Sequence, residues 1–255
     1  MKTAGKIPAS VSIIAYNEED RIGRCLESVK DFAEVVVVVD AKTTDRTGDI
    51  CREFGCKVYI EQWKGFGPQK QSAIEKCSDD WVLIIDADEA LTQETIGAVS
   101  RSLMVPAADA YRFPRKNFLH GRWMKHGDWW PDCQVRLVRK SRGSFVSLVH
   151  ERWETRGSIG TINQPILHYP FSGYSEMIKT MNDYSTLIAR DLFSRSVKAN
   201  TFSPFLHGAG MFFKIYFLKR GFLDGIDGLV TAMIKAGGSF FKYAKLIEIR
   251  KSDGR

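Results

Sequence analysis

The stretch Trp81-Val-Leu-Ile-Ile-Asp-Ala-Asp-Glu89 decides the fold. Its apolar run, Val82 to Ile85, is short and unbroken by polar residues, which reads as a strand buried on both faces, as in a parallel sheet. A carboxylate cannot stay buried without a partner, so this strand must surface at Asp86. If the extended form continues for two more residues, Asp86 and Asp88 point the same way, because side chains along a strand alternate with period two. Two carboxylates aimed together at the C-terminal edge of a parallel sheet repel. A divalent cation relieves the repulsion, and hard oxygen ligands suit Mg²⁺ or Mn²⁺. That edge is also where open α/β sheets bind ligands. The plainer alternative is an acidic helix start, with Asp88 and Glu89 facing the dipole of a helix over Leu91 to Ser102.

N-terminal to this stretch, strands and helices alternate. Val11-Ser-Ile-Ile-Ala-Tyr16 reads as a first strand, and Asn17-Glu-Glu-Asp20 opens an amphipathic helix through Ile22, Leu26 and Val29. Glu34 to Val39 is a second buried strand, ending at Asp40. The loop Ala41-Lys-Thr-Thr-Asp-Arg-Thr-Gly48 leads into a helix carrying Ile50 and Phe54, with Gly55 placed to cap it. Lys57-Val-Tyr-Ile60 is a third strand, and Gly65-Phe-Gly-Pro68 breaks the chain before a helix over Gln69 to Cys77. Strands alternating with helices in this way predict repeated βαβ units, hence an α/β fold with a mostly parallel sheet. Glu18, Asp40, Asp86 and Asp88 each terminate a predicted strand, so all four converge on one edge. No GxGxxG follows the first strand, and Gly65-Phe-Gly-Pro-Gln-Lys70 is not a phosphate-binding loop. A nucleotide held here would be held by those carboxylates with a cation among them.

After residue 105 the pattern changes. Ala110-Tyr-Arg-Phe-Pro114 and Gln134-Val-Arg-Leu-Val-Arg139 alternate as half-exposed strands do, and Val149-His-Glu-Arg152 and Ile166-Leu-His-Tyr169 read as further short strands. The prediction is an antiparallel extension that completes a site over the parallel half. Between the first two strands lies a loop rich in aromatics and charge, with Trp129 and Trp130 placed either to stack on sugar rings or simply to pack. Arg136 and Arg139, alternating with Val135, Leu137 and Val138, are expected on one face, where they would pair with diphosphate or an anionic acceptor, or lie in solvent. From Tyr174 a helical stripe runs through Met177, Met181, Tyr184, Ile188 and Leu192. Phe205 to Lys251 crowds aromatics beside Lys214, Lys219, Arg220, Lys242 and Lys245. That composition suits a helix lying in a membrane interface, or an ordinary amphipathic helix packed on the domain.

Composition bounds the remaining classes. A chain of 255 residues with net charge +7 is a folded protein that tolerates an anionic partner. Its 5 cysteines form no ligand spacing, so zinc is not expected, and they read as reduced thiols of a cytosolic protein. Val11 to Ile14 is too short for the apolar core of a signal peptide, and no run of 18 apolar residues predicts a spanning helix.

In order along the chain, Val11-Ser-Ile-Ile-Ala-Tyr-Asn-Glu-Glu19, Val38-Val-Asp-Ala-Lys-Thr-Thr-Asp-Arg-Thr47, Gln69-Lys-Gln-Ser-Ala73 and Ile84-Ile-Asp-Ala-Asp-Glu89 resemble the motifs of an inverting family 2 glycosyltransferase of the GT-A fold. Together they cover about residues 8 to 105, and their combination is specific although each piece is weak. Trp129-Trp-Pro-Asp-Cys-Gln-Val-Arg-Leu137, Val149-His-Glu151 and Gly221-Phe-Leu-Asp-Gly225 resemble one subgroup, the β-1,4-glucosyltransferases of lipopolysaccharide and lipooligosaccharide cores. The resemblance implies a GT-A domain over residues 1–170, with a nucleotide half over 8–105 and an acceptor half over 106–170, and a C-terminal helical region over 171–255. It implies that Asn17, Glu18 and Asp40 line the base and ribose pocket, that Asp86 contacts the ribose or a metal-bound water, that Asp88 binds the cation bridging the diphosphate, and that Lys70 lies near the phosphates. The family often has Ser-Gly-Ser-Thr-Asp where this chain has Ala41-Lys-Thr-Thr-Asp45, so Asp45 belongs with the nucleotide residues in a role that the bulkier Lys42 leaves open.

Such an enzyme needs a Lewis acid for the departing diphosphate and a carboxylate for the acceptor's proton. Asp132, in an aromatic loop expected to desolvate it, is the first choice for the base, and Glu151 the second. His150 is either a further metal ligand beside Asp88 and Asp86 or a hydrogen-bonded core histidine. The expected partners are a nucleotide-diphosphate sugar, UDP favoured, with Mn²⁺ or Mg²⁺, and a lipid-linked or core oligosaccharide acceptor at the inner face of the cytoplasmic membrane; nucleic acid is not expected. The rivals are a metal-dependent nucleotidyltransferase, which would need a glycine loop near the first strand, and a non-catalytic basic membrane-binding module, which would leave the acidic strand ends unexplained.

Overall fold

The computed structural model describes residues 6–146 and 152–253. The chain forms two compact units: Met1–Lys116 with Asp132–His168, and Asn117–Pro131 with Tyr169–Arg255. The residues expected to form an acceptor half are therefore shared between the two.

The first unit opens with the expected alternation: β1 (Ile7–Ala15), α1 (Glu19–Val29), β2 (Phe32–Asp40), α2 (Thr47–Glu53), β3 (Lys57–Glu61), α3 (Phe66–Glu75) and β4 (Trp81–Ile84). The four strands pair in parallel in the order β3-β2-β1-β4. Val36 to Val39 and Val82 to Ile84 are buried on both faces, which is why neither run carries a polar residue. β3 lies at the sheet's edge and is correspondingly exposed. On α1, Ile22, Cys25, Leu26 and Val29 recur at helical spacing and enter the main core. Gly55 takes φ +75° after α2 and donates its N–H to the Arg52 carbonyl, as a helix stop requires.

Two expectations about the central stretch change. The extended form ends at Ile84, and the chain turns through Ala87 and Asp88, with the Glu89 N–H donating to the Asp86 carbonyl at 2.9 Å. The alternation that would have aimed Asp86 and Asp88 together therefore stops before either. The following helix also starts later: β5 (Glu89–Ala90) intervenes, and α4 (Gln93–Met104) begins after Thr92, whose hydroxyl accepts the Thr95 N–H.

Beyond α4 come β6 (Ala110–Leu119), β7 (Arg122–Trp123), β8 (Asp132–Arg139), β9 (Gly143–Val146), β10 (Arg152–Thr155), β11 (Ile159–Thr161) and β12 (Ile166–His168). β8 runs antiparallel to β4 and to β6, so the sheet changes from parallel to mixed at β4. β5 and β12 pair antiparallel, with His168 opposite Glu89. β9 and β10 form a separate two-stranded sheet that adds Trp153 to a core containing Ile74 and Val82. The architecture is α/β, with a parallel sheet extended by mostly antiparallel strands; among them β11 pairs in parallel, with β6.

The second unit is helical: α5 (Tyr174–Ser194), α6 (Ser203–Phe213) continuing as a π-helical turn over Lys214–Leu218, a 3₁₀ turn over Gly221–Asp224, and α7 (Gly225–Asp253). Leu119, Met124 and Trp129 from the 117–131 segment pack with Met177 of α5. The motif Gly221-Phe-Leu-Asp-Gly225 is a clamp. The buried Asp224 accepts the backbone N–H groups of Lys125 and His126, and its other oxygen lies 3.0 Å from His126 Nδ1. Three residues on, Asp227 accepts the Tyr174 hydroxyl and lies 2.9 Å from His120 Nδ1. Gly221 and Gly228 touch so closely that a Cβ on Gly228 would lie 1.8 Å from the Gly221 carbonyl oxygen. Among the described residues no helix is long and apolar enough to cross a membrane.

Candidate active site

The C-terminal ends of β1, β2 and β4 carry the residues singled out in the sequence, and the loops that hold them are tied to one another. Asn17 sits at φ +51°, a left-handed conformation that Asn tolerates, and its Oδ1 accepts the Thr44 N–H at 2.9 Å. The Glu18 N–H donates to Thr47 Oγ1 at 2.8 Å. Asp45 accepts the N–H groups of Glu19 and Thr47 and the Thr47 hydroxyl, and Glu19 returns a bond from the Arg46 N–H. Burial raises the Asp45 carboxyl, but these hydrogen bonds outweigh it and hold it below its ordinary value. Asp45 thus joins the loop after β1 to the loop after β2. Asp40 is buried and accepts the Lys42 N–H, so the unusual Lys42 contributes its backbone here.

At the end of β4 the charges form a chain. Asp86 Oδ1 lies 3.0 Å from Lys70 Nζ on α3, and Asp86 Oδ2 accepts from Arg136 of β8. Arg136 also donates to Glu89, whose carboxylate is fully buried and whose other oxygen accepts the Asp86 N–H at 3.0 Å. Arg115 of β6 donates to Glu89 at 3.1 Å and, through Nε at 2.9 Å, to Asp132. Gln134 holds the second oxygen of Asp132 at 3.0 Å. Three carboxylates thus alternate with three cations. Burial would push Asp86 up, but Arg136 and then Lys70 hold its carboxyl well below the usual carboxylate range. Burial likewise opposes the charge on Arg136, and Asp86 and Glu89 outweigh it and raise the guanidinium above its ordinary value.

Asp86, expected among both nucleotide and metal residues, therefore has its charge matched by Lys70 and Arg136. Asp88 stands apart from that chain, its Oδ2 3.3 Å from His168 Nε2, with side chains 18% and 13% exposed. One carboxylate and one imidazole are a modest donor set. It fits Mn²⁺ or Mg²⁺, which keep waters and use substrate phosphate oxygens to complete their coordination, and imidazole suits Mn²⁺. Among the described residues no third His, Cys, Asp or Glu joins the pair. His150 and Glu151 lie outside the described residues.

Asp132 begins β8, as expected, and its partners include Arg115 and Gln134. Arg136 and Arg139 do not share a face. Residues three apart on a strand have opposite parity. Arg139 lies at the far end of β8, opposite Trp81, where it pairs with Asp80 and Asp109 and its guanidinium lies 5.4 Å from the Trp81 ring centroid. Trp129 is buried in the second unit, and Trp130 packs edge-on against Trp123 at 5.2 Å.

Three residues of this site escaped the sequence reading. Glu89 falls where the sequence offers an acidic helix start, Arg115 just past the strand expected to end at Pro114, and His168 within an expected short strand. Of the three, only Glu89 carried a local signal: an acidic residue next to a buried turn needs a cation, and the nearest cations are on β6 and β8.

The chain's cysteines are all free. Burial pushes the Cys51 and Cys77 thiols up to about 12, so they are inert packing residues.

Comparison with known proteins finds that residues 10–159 match the model of glycosyl transferase family 2. An uncharacterized glycosyltransferase of Rickettsia felis is 32% identical over 253 residues, covering 94% of this chain and 89% of that protein. The lipopolysaccharide core biosynthesis glycosyltransferase LpsC of Rhizobium meliloti is 28% identical over 253 residues, covering 95% of this chain and 93% of that protein. Among solved structures, S. aureus TarS in complex with UDP-GlcNAc shares 15% identity, with a TM-score of 0.48 over 97% of this chain and 92% of that one.

Proposed function

This chain belongs to glycosyl transferase family 2, and on that premise we propose that it moves a hexose, glucose in our reading, from a nucleoside-diphosphate sugar to a lipopolysaccharide-core or other cell-envelope saccharide, with inversion. The observation that carries this reading is the segregation of the rim into two electrostatic parts. Asp86 is neutralised by Lys70 and Arg136, whereas Asp88, among the described residues, pairs with the imidazole of His168. The first part suits a ribose and phosphate neighbourhood, the second a divalent cation. Family membership sets aside the nucleotidyltransferase and the non-catalytic module. The similarity to LpsC, together with the subgroup motifs, supports the core-saccharide acceptor.

Asn17, Glu18 and Asp40 line the nucleoside end, with Asp45 holding the two loops together. Lys70 faces the phosphates. Asp88 and His168 would hold the metal, which when bound stabilises charge on the departing diphosphate. The acceptor oxygen bonds to the anomeric carbon as the bond to the diphosphate oxygen breaks, and the acceptor's hydroxyl proton passes to a carboxylate. Asp132 is our first choice for that role and Glu151 the second. Arg115 positions Asp132, and through Glu89 and Arg136 it links the base to the residue that holds Lys70. Arg136 acts by setting Asp86, not by touching an acceptor, and Trp130 is the aromatic better exposed to meet a sugar.

The protein works at the cytoplasmic face of the inner membrane as a peripheral enzyme. Support comes from the second unit, where Phe205, Leu206, Phe213, Phe217 and Leu218 are half exposed or more beside Lys214, Lys219 and Arg220.

The test is nucleoside diphosphate release from UDP-, GDP- and dTDP-glucose with a core-oligosaccharide acceptor, with Mn²⁺, with Mg²⁺ and after chelation. The expected result is UDP release that requires a divalent cation; turnover undiminished by chelation removes the metal assignment. Asp132→Asn is expected to lower kcat by about 10²–10⁴ with donor binding intact. If Asp132→Asn and Glu151→Gln both turn over normally, neither is the base.

A further inference from the structure

The second unit carries an open cavity of about 430 Å³ that no step above uses. Its walls come from α5, α6, α7 and the Asp128–Trp129 corner, and they are mostly apolar: Trp129, Met177, Met181, Ile188, Met211 and Ile234. Three of the chain's 7 methionines line this one space. Methionine is flexible and polarisable, and it recurs where a surface must fit apolar partners of variable shape. The volume lies within the range of about 300–1,000 Å³ typical of small-molecule pockets. An apolar cavity of about 150 Å³ is already large enough to hold benzene.

The charged groups around the cavity are mostly of one sign. Lys214, Lys235 and Lys242 all line it. Lys235 is occupied, its Nζ bonded to the Gly127 carbonyl at 3.0 Å and lying 5.5 Å from the centroid of the Trp129 ring. Lys214 is exposed, and Lys242 is half-buried with its Nζ 5.3 Å from the centroid of the Tyr243 ring. The one acid at the wall, Asp128, is paired with Lys219 at 3.3 Å. α7 also carries Gly237 and Gly238 in its interior, where glycine weakens a helix. Gly238 lines the cavity, and a Cβ there would lie 3.1 Å from Met181 Cγ. The glycine keeps that wall from crowding the space.

We propose that this cavity takes one alkyl chain of an anionic membrane lipid, with Lys214 and Lys242 holding the phosphate of the head group. An alkyl chain matches the apolar walls, and the phosphate matches the two lysines at their edge, Lys214 exposed and Lys242 half-buried. The half-exposed apolar residues of α6 and its π-helical continuation supply the bilayer from which the chain comes. The inference rests on the peripheral reading of this unit and is independent of the sugar chemistry.

The test uses the full chain and vesicles of phosphatidylcholine, alone or mixed with phosphatidylglycerol, with or without bromine on the acyl chains. Flotation reports docking, and bromine quenching of tryptophan fluorescence reports entry of a chain beside Trp129. The expected result is flotation with the anionic vesicles accompanied by quenching, part of which disappears in Trp129→Phe. Gly238→Leu, and Ser239→Leu as a second cavity-filling variant, still float but lose that same part. Each is checked for folding by its melting temperature and by unchanged UDP release. Lys214→Gln with Lys242→Gln lowers partitioning into anionic vesicles about 25-fold, the effect of losing two lysines near a charged surface. Flotation without quenching, or full quenching in both filled variants, overturns the cavity and leaves the peripheral reading standing. No flotation overturns both. Equal partitioning into the two vesicle types overturns the anionic head group.

Discussion

Replacing Arg136 by Met keeps a long apolar stem and removes a buried charge. The residue is 4% exposed. Its guanidinium serves Asp86 and the fully buried Glu89. Removing one partner of a buried ion pair costs about 3–5 kcal/mol, because the other is left uncompensated. Here each carboxylate keeps a second cation, Lys70 at 3.0 Å from Asp86 and Arg115 at 3.1 Å from Glu89. That places the cost at the lower end, about 3 kcal/mol, or about 6–12 °C in melting temperature for a chain of this size. The pH dependence has a definite sign. Asp86 is held below its ordinary value in the folded protein, so its pairing stabilises above that value and is lost as pH falls through it. The unfolded chains of wild type and variant titrate alike, so the deficit of Arg136→Met is full at pH 7 and narrows only as pH falls far enough to protonate Asp86 in the folded variant, where Lys70 alone still holds the charge. Urea unfolding at pH 7 and pH 3.5 measures both. Arg139→Met serves as the control: that side chain is 37% exposed, and its loss is expected to cost about 1 kcal/mol or less. A deficit for Arg136→Met no larger than the control's, or one that widens at the lower pH, refutes the charge-chain reasoning.

His168→Ala is expected to raise the Mn²⁺ concentration for half-maximal UDP release by at least about 10-fold, while metal-free melting stays put; an unchanged metal requirement removes His168 from the site. Gly228→Ala drives a methyl toward the Gly221 carbonyl and is expected to lose about 1–3 kcal/mol or more, read by calorimetry; a melting temperature equal to the wild type's would contradict the close approach. Burial would raise Glu34, but Lys57, Ser78 and Ser10 hold it at about 2, against an ordinary value of 4.5. Its contribution is therefore present above pH 4.5 and is lost as pH falls toward 2. Glu34→Gln should flatten that acid limb of the stability curve, and an unaltered limb would mean that other carboxylates set it.

The parallel half of the fold was legible because its signal is local. Val36 to Val39 and Val82 to Ile84 must be buried on both faces, and Asp40 and Asp86 must then surface at their ends. The charge chain was not legible for the opposite reason. Glu89, Arg115, Asp132 and Arg136 meet only because β4, β6 and β8 are sheet neighbours, and nothing in a linear sequence fixes that order. His168 reaches Asp88 through the pairing of β12 with β5, two short strands far apart in the chain. The turn at Ala87–Asp88 was hidden too, since a strand's continuation past its last buried residue is set by what receives it. In the second unit, helical spacing brought out Met177 and Met181, but whether such a stripe meets a neighbour or encloses a space depends on residues as small as Gly238.

The chain leaves the first unit at Lys116, returns at Asp132 and leaves again after His168. Leu119, Met124 and Trp129 are thus encoded between two stretches of the first unit yet find their cover on the tail. A gene rearrangement that grafted a foreign tail at one breakpoint would leave those three side chains matched to a surface no longer inherited with them. Two breakpoints, or a matched pair of changes, would be needed, which binds the evolution of the first unit and the tail together more tightly than a simple head-to-tail order would.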